Sequence, residues 1–292
     1  PKSHYALTFI MDHRMGAFHD TVSILMMAIS MIALVAQRRI LANRRYASSL
    51  TNLPVAVKLS GWKNAAVHFF SHGIVFLAML PSAVVVYTSF LKTKGPVFVG
   101  GFGLESYDRI WRDAPDAIYN SFLFAIIAVT FITITSGLIS YVIVRRDTKA
   151  AAAIDFLMMV PYLVPGVVMA IGFVTVFRNG MPNFFGPAFL LVMIYYIRRL
   201  PYGVRSTTSS LRQIKPSLEE AAVNLGATPL GAFVKITVPL IFPGIVVGAL
   251  MGFITAINEL SSTLILYDAG TITMPVKVYL AVLDGEFGLA AA

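Results

Sequence analysis

Apolar runs close to twenty residues long recur down this chain. Each is long enough to cross about 30 Å of hydrocarbon as a helix at about 1.5 Å per residue. Lipid offers no partner for backbone N–H and C=O groups, so a spanning segment must be a helix or a strand of a closed barrel. The runs are continuous and do not alternate, which selects helices. At 57% hydrophobic, 13% charged and a mean hydropathy of +0.77, the chain carries more apolar side chain than a soluble domain of 292 residues buries. The expected fold class is all-α, a polytopic transmembrane helical bundle.

Spans are expected near 17–37, 65–90, 117–144, 150–177, 184–198 and 239–266, the fifth of them short. Placing the connections on alternate sides gathers 15 basic and 3 acidic residues on one side, among them Arg145, Arg146, Arg198, Arg199, Arg205, Arg212, Lys235, Glu219 and Glu220. The positive-inside bias makes that side cytoplasmic. The net charge of +9 is then mostly a topology signal and calls for no nucleic acid. The chain has no Cys, so it offers no disulfide, thiolate nucleophile or Cys-bound metal. It also contains no G-x-x-x-x-G-K-[ST] phosphate loop and does not bind ATP by that device.

The chain opens Pro1-Lys2-Ser3-His4, without an initiator Met or signal peptide, and closes on an apolar stretch, Phe287–Ala292, that reads as the start of a further helix. Pro1, Tyr5, Asp12 and Gly16 recur, with a two-residue gap, as Pro275, Tyr279, Asp284 and Gly288. Residues 1–40 accordingly read as the last transmembrane helix of a preceding repeat, with more sequence expected before them. Residues 41–64 read as a basic cytoplasmic linker, and 65–292 as a second repeat of five spans plus the truncated start of a sixth.

Between the fifth and sixth spans lies a polar stretch, residues 217–239. Ser217 followed by Glu220 is a capping-box pattern that starts a helix. Leu218, Ala222 and Leu225 then form a small apolar face opposite Glu219 and Asn224. Gly226 suits the left-handed turn that ends such a helix. Thr228-Pro229 supplies a second cap, and another short helix is expected to run to Pro239. Two helices of about nine residues are marginal alone in water, so they must dock on something.

The series Glu220-Ala221-Ala222, Gly226, Ile236 and Pro239, at these spacings, resembles the EAA loop of the membrane subunits of ATP-binding-cassette importers. Val238 stands where that pattern has Leu, which keeps the apolar character. The segment Asn258–Leu266 followed by Met274-Pro275 is most similar to the duplicated, two-repeat permeases of the ferric-iron group, whose relatives handle phosphonates, thiamine or sugar phosphates. The resemblance implies the type I importer permease fold, a cytoplasmic coupling loop over 199–239 and a bacterial inner-membrane location. It further implies a separate ATPase dimer that binds ATP and Mg, a periplasmic solute-binding protein, a second permease repeat or subunit, and no cofactor or covalent chemistry in this chain.

Other constellations carry weaker expectations. Gly244, Gly248 and Gly252 make a smooth stripe along the sixth span, read as a packing seam. Pro161, Pro165 and Gly166 interrupt the fourth span, and broken helices at mid-membrane often mark a solute path, with Tyr162 beside it. Asn258 and Glu259, followed by Ser261, Ser262 and Thr263, are expected near the outer interface, where the carboxylate would snorkel or line a gate. His68 and His72, one turn apart, lack a third ligand and read as interfacial hydrogen-bonding groups. Asp20 and Asp155 read as capping or snorkelling residues near span ends. An ion-driven secondary transporter would need coupling charges at mid-membrane and no capped helix pair, and a membrane hydrolase lacks a set of ligands or a nucleophile with its base.

Overall fold

The computed structural model describes residues 60–178 and 186–292, with a few helical positions between 25 and 36. The readings placed on residues 1–40, Asp20 included, and on most of 41–64 lie outside these described residues. Two compact units are distinguished, one over Asp116–Val276 and the other up to Pro115 together with Lys277–Ala292.

The second unit begins with α1 (Trp62–Ser89), whose apolar surface is almost entirely exposed, as a lipid-facing helix requires. His72 Nδ1 meets the His68 backbone oxygen at 2.7 Å, and the described residues contain no metal-holding group of side chains. A hairpin follows, β1 (Leu91–Lys94) against β2 (Val97–Phe102), with Gly95 in the left-handed region at the turn. Helix α2 (Glu105–Asp113) is tied to the end of the chain by Arg109, which donates to both Glu286 oxygens at 3.0 and 2.8 Å. The Glu286 hydrogen bond raises the Arg109 pKa.

The first unit is built on α3 (Pro115–Arg145), a 31-residue span. Next come α4 (Lys149–Leu157), α5 (Val160–Leu163) and α6 (Gly166–Phe173). The apolar stretch is broken between α5 and α6, where the axis bends by 100°. Proline disfavours helical backbone in the residue before it, and Val164 is extended at ψ 124° ahead of Pro165. Helix α7 (Pro187–Arg212) runs for 26 residues, about 39 Å, and so continues past 198, where the fifth span is expected to end.

Helices α8 (Ser217–Asn224) and α9 (Pro229–Ala232) follow, and a single π-helical stretch, Phe233–Thr237, joins α9 to α10 (Val238–Ile257). The expected stop at Pro239 is therefore corrected, because the helix runs on into the span. The wider π turn relieves the missing proline N–H. Short helices α11 (Thr263–Leu266), α12 (Met274–Leu283) and α13 (Phe287–Ala291) complete the chain.

Helices α7 and α10 pack antiparallel through the small-residue stripe. A Cβ on Gly248 would lie 2.8 Å from Gly203 Cα, and one on Gly244 would collide with Ser210 Oγ. Gly252 instead faces Ile132 and Val129 of α3 at ordinary contact distances. Ser206 Oγ donates to the Gly244 carbonyl at 2.8 Å. In lipid the drive for this pairing is close contact, which small residues permit. Gly248→Ala sets a methyl against a backbone that cannot rotate aside, so a loss of about 1–3 kcal/mol is expected in thermal unfolding of the detergent-solubilised protein. Unchanged stability would mean that the helices do not approach this closely.

Candidate functional site

Two polar assemblies stand out in the first unit, one at the α8–α9 elbow and one midway along α7.

At the elbow, α8 starts at Ser217 itself, with Pro216 in the cap position and its carbonyl accepting from Glu219 and Glu220 N–H at 3.0 and 3.2 Å. This corrects the reading of Ser217 as the capping side chain. Pro216 is already helical at φ −56°, so the cap falls one residue earlier. Thr228 does cap, its Oγ1 accepting from Gly231 N–H at 3.0 Å. Gly226 has φ +94°, and the N–H groups of Gly226 and Ala227 return to the Val223 and Ala222 carbonyls at 2.9 and 3.0 Å, which closes α8.

The two faces of α8 sit opposite to the usual soluble arrangement. Glu219 points inward: its oxygens accept from Tyr141 Oη and Arg145 Nε, both at 2.9 Å, while Arg145 also donates to the Ile214 carbonyl. Leu218, Leu225 and Leu230 are exposed, Leu225 at 90%. Glu220, Ala221 and Gly226 are exposed as well, Ala222 and Ile236 are half-buried, and Pro239 is exposed. Of the stretch 199–239 expected as a cytoplasmic loop, 199–212 belongs to α7 and 238–239 to α10.

Burial pushes the Glu219 carboxyl up, but the hydrogen bonds from Tyr141 and Arg145 outweigh it and hold the group below the ordinary carboxylate range. A pKa lower in the folded than in the unfolded state gives stability that is full above the ordinary value, about 4.3, and is lost as pH falls through the lowered value. With the intrinsic pH dependence of amide exchange divided out, protection over residues 214–228 is therefore expected to stay flat from about pH 8 to 5 and to fall below about pH 4. Glu219→Gln should remove that acid step; an unchanged step would exclude Glu219 as its source.

The second assembly was not legible in the sequence. Arg198 and Arg199, expected in a connection after the fifth span, lie near the midpoint of α7, and Arg205 lies in the same helix. Glu259 is 4% exposed and takes one guanidinium on each oxygen, Arg198 on Oε1 at 2.7 Å and Arg199 on Oε2. Ser262 adds its N–H and Oγ to Oε1 at 3.2 and 3.1 Å, and Arg198 also donates to Ser262 Oγ at 2.9 Å. Glu259 lies two residues past the end of α10 at Ile257, beside mid-α7, and its carboxylate is paired inside the protein rather than snorkelling.

Other residues expected along a path gather around this cluster. Thr263 Oγ1 donates to the Glu259 carbonyl at 2.7 Å and meets Tyr195 Oη at 2.6 Å. Gly166, just past the break at Pro165, approaches so closely that an added Cβ would lie 2.6 Å from Arg198 Nη1. Tyr162 is exposed and meets the Tyr202 ring edge-on at 5.6 Å between centroids. Asn258 and Ser261 are exposed, and Asn258 Nδ2 bonds the Ile254 carbonyl of its own helix. Asp155, expected to cap or snorkel, pairs with Arg205 at 3.0 Å. The signal for this cluster was a lone carboxylate and paired guanidiniums in apolar surroundings, obscured by ending the fifth span at Arg198.

The family model for the binding-protein-dependent transport system inner membrane component matches residues 134–282, half of the chain, including both assemblies. The chain belongs to that family. Among its relatives, this permease is 25% identical over 288 residues to the ferric transport system permease protein FbpB of Actinobacillus pleuropneumoniae, covering 94% of this chain and 40% of that one. It is 27% identical to the putrescine transport system permease protein PotI of Escherichia coli, covering 81% and 84%. A bacterial transporter that imports the acidic polysaccharide alginate shares the fold at TM-score 0.62 and 16% identity, over 79% of this permease and 90% of the matched chain. The permease thus spans less than half the length of its ferric relative. It is an inner membrane component of a binding-protein-dependent transport system, all-α and multi-pass.

Proposed function

We propose that this chain is the second permease repeat of an ATP-driven importer in a bacterial inner membrane. It takes ferric iron from a periplasmic binding protein and works with a separate ATPase dimer that binds ATP and Mg. The observation that carries the coupling reading is the reversed α8. Its carboxylate Glu219 is anchored to the end of α3, while Leu218, Leu225 and Leu230 are left bare. An apolar face held rigidly outward needs a partner surface, and the anchor passes any movement of that partner to α3. ATP-driven closure of the ATPase pair would then tilt the spans, provided that the ATPase binds the two permease conformations with different affinity. The ferric assignment rests on the relative matched over 94% of the chain. Phosphonate, thiamine or sugar phosphate would be carried by the same mechanism, and an ion-coupled secondary transporter would have no use for the exposed leucines.

The chain has no Cys, so Leu225→Cys provides a single thiol. In the assembled complex it is expected to cross-link to the ATPase subunit, with a yield that changes on ATP binding. A complex that turns over ATP while this thiol reacts only with soluble reagent would end the coupling reading.

A further inference from the structure

The mid-α7 cluster holds two guanidiniums for one carboxylate. A guanidinium stays charged at any pH the protein meets, so one positive charge there has no counter-charge among the described residues. Burying an uncompensated charge is costly and is kept where it does something. Both Nε atoms, on Arg198 and on Arg199, are buried without a hydrogen-bond partner among the described residues. Gly166 brings the amino end of α6 against Arg198, and the partial positive charge of a helix start adds to the imbalance.

The excess continues along the helix. Arg198, Tyr202, Arg205, Ser209 and Arg212 recur every three or four residues and fall on one face of α7 over about 21 Å. Asp155 balances Arg205, and Arg212 is exposed at the end nearest the elbow. Among the described residues, the ion pairs of Arg198, Arg199 and Arg205 engage two carboxylates, Glu259 and Asp155, and Arg212 adds a fourth guanidinium to the helix, so positive charge exceeds negative along it. A cation would be repelled along this face, whereas an oxyanion would meet guanidinium forks of matching geometry.

We propose that the α7 face centred on Arg198 and Arg199 is an oxyanion-binding step of the solute path. The solute passes as a net anion, either a free oxyanion or a metal ion inside an anionic ligand shell. This deepens the importer reading and rests on it.

The test uses the full chain in lipid nanodiscs and an arginine-selective dicarbonyl reagent, with modification of each arginine read by peptide mass spectrometry. Inorganic phosphate at about twice its Kd should cut modification of Arg198 or Arg199 roughly threefold. Exposed Arg146 should be unchanged and serves as the control for a general salt effect. Protection by phosphate supports a free oxyanion. Protection by ferric citrate but not by phosphate or citrate alone supports a metal in an anionic shell. No protection by either, protection by putrescine, or failure of both arginines to react under any condition overturns the proposal. The assay needs no ATPase, so its failure leaves the cross-linking result at position 225 to judge the importer reading separately.

Discussion

Replacing Gly226 by proline is expected to remove most of the binding-protein-stimulated ATP hydrolysis in the assembled complex while leaving the membrane spans folded. Proline fixes φ near −65°, whereas Gly226 sits at +94°, and proline also removes the N–H that bonds the Val223 carbonyl at 2.9 Å. The elbow would then leave α8 at a different angle and swing Leu225 and Leu230 out of register with each other. Nothing stands within 4 Å of a Cβ at this position, so the effect comes from the backbone and not from crowding. Coupling between distant sites amounts to about 1–3 kcal/mol, so stimulation should fall by roughly 5–150-fold. Gly226→Asn, which tolerates the left-handed region, should keep much of it. Normal stimulation in the proline variant would remove the elbow from the mechanism.

The second large effect is expected at Glu259. Glu259→Leu leaves Arg198 and Arg199 facing each other in a site where neither is more than 15% exposed. Removing one partner from a buried ionic group costs about 3–5 kcal/mol, because the remaining charges lose their compensation. Thermal unfolding in detergent should show that loss, and the yield of folded protein should fall with it. The triple change Arg198→Leu, Arg199→Leu and Glu259→Leu should recover most of the stability, since apolar side chains of similar volume replace such a cluster at little cost. If the triple variant is as unstable as the single one, the damage comes from lost packing and not from unpaired charge.

Several elements were set by sequence alone. Apolar run length fixed the helical membrane class, and the spacing from Glu220 to Pro239 marked the polar helical elbow between two apolar helices. Gly226 and Thr228 behave as their chemistry dictates, because a left-handed turn and a hydroxyl cap are decided within a few residues. Arg198-Arg199-Leu200-Pro201 read as the end of a span because charge followed by proline usually stops an apolar helix. Here α7 continues for another turn and beyond, since Glu259 and Asp155 supply carboxylates and Pro201 is buried within the helix. Those carboxylates lie about sixty residues later and forty earlier in the chain, a separation no local pattern reports.

Which face of α8 points inward was likewise a tertiary decision. Its apolar residues were visible in the sequence, but only the arrival of Arg145 and Tyr141 from α3 turns Glu219 in and the leucines out. Local chemistry settles the turn at Gly226 and the cap at Thr228, but not where α7 ends. The pairing of buried charges depends on which helices meet, and in lipid the small residues Gly203, Gly244 and Gly248 let α7 and α10 come together closely.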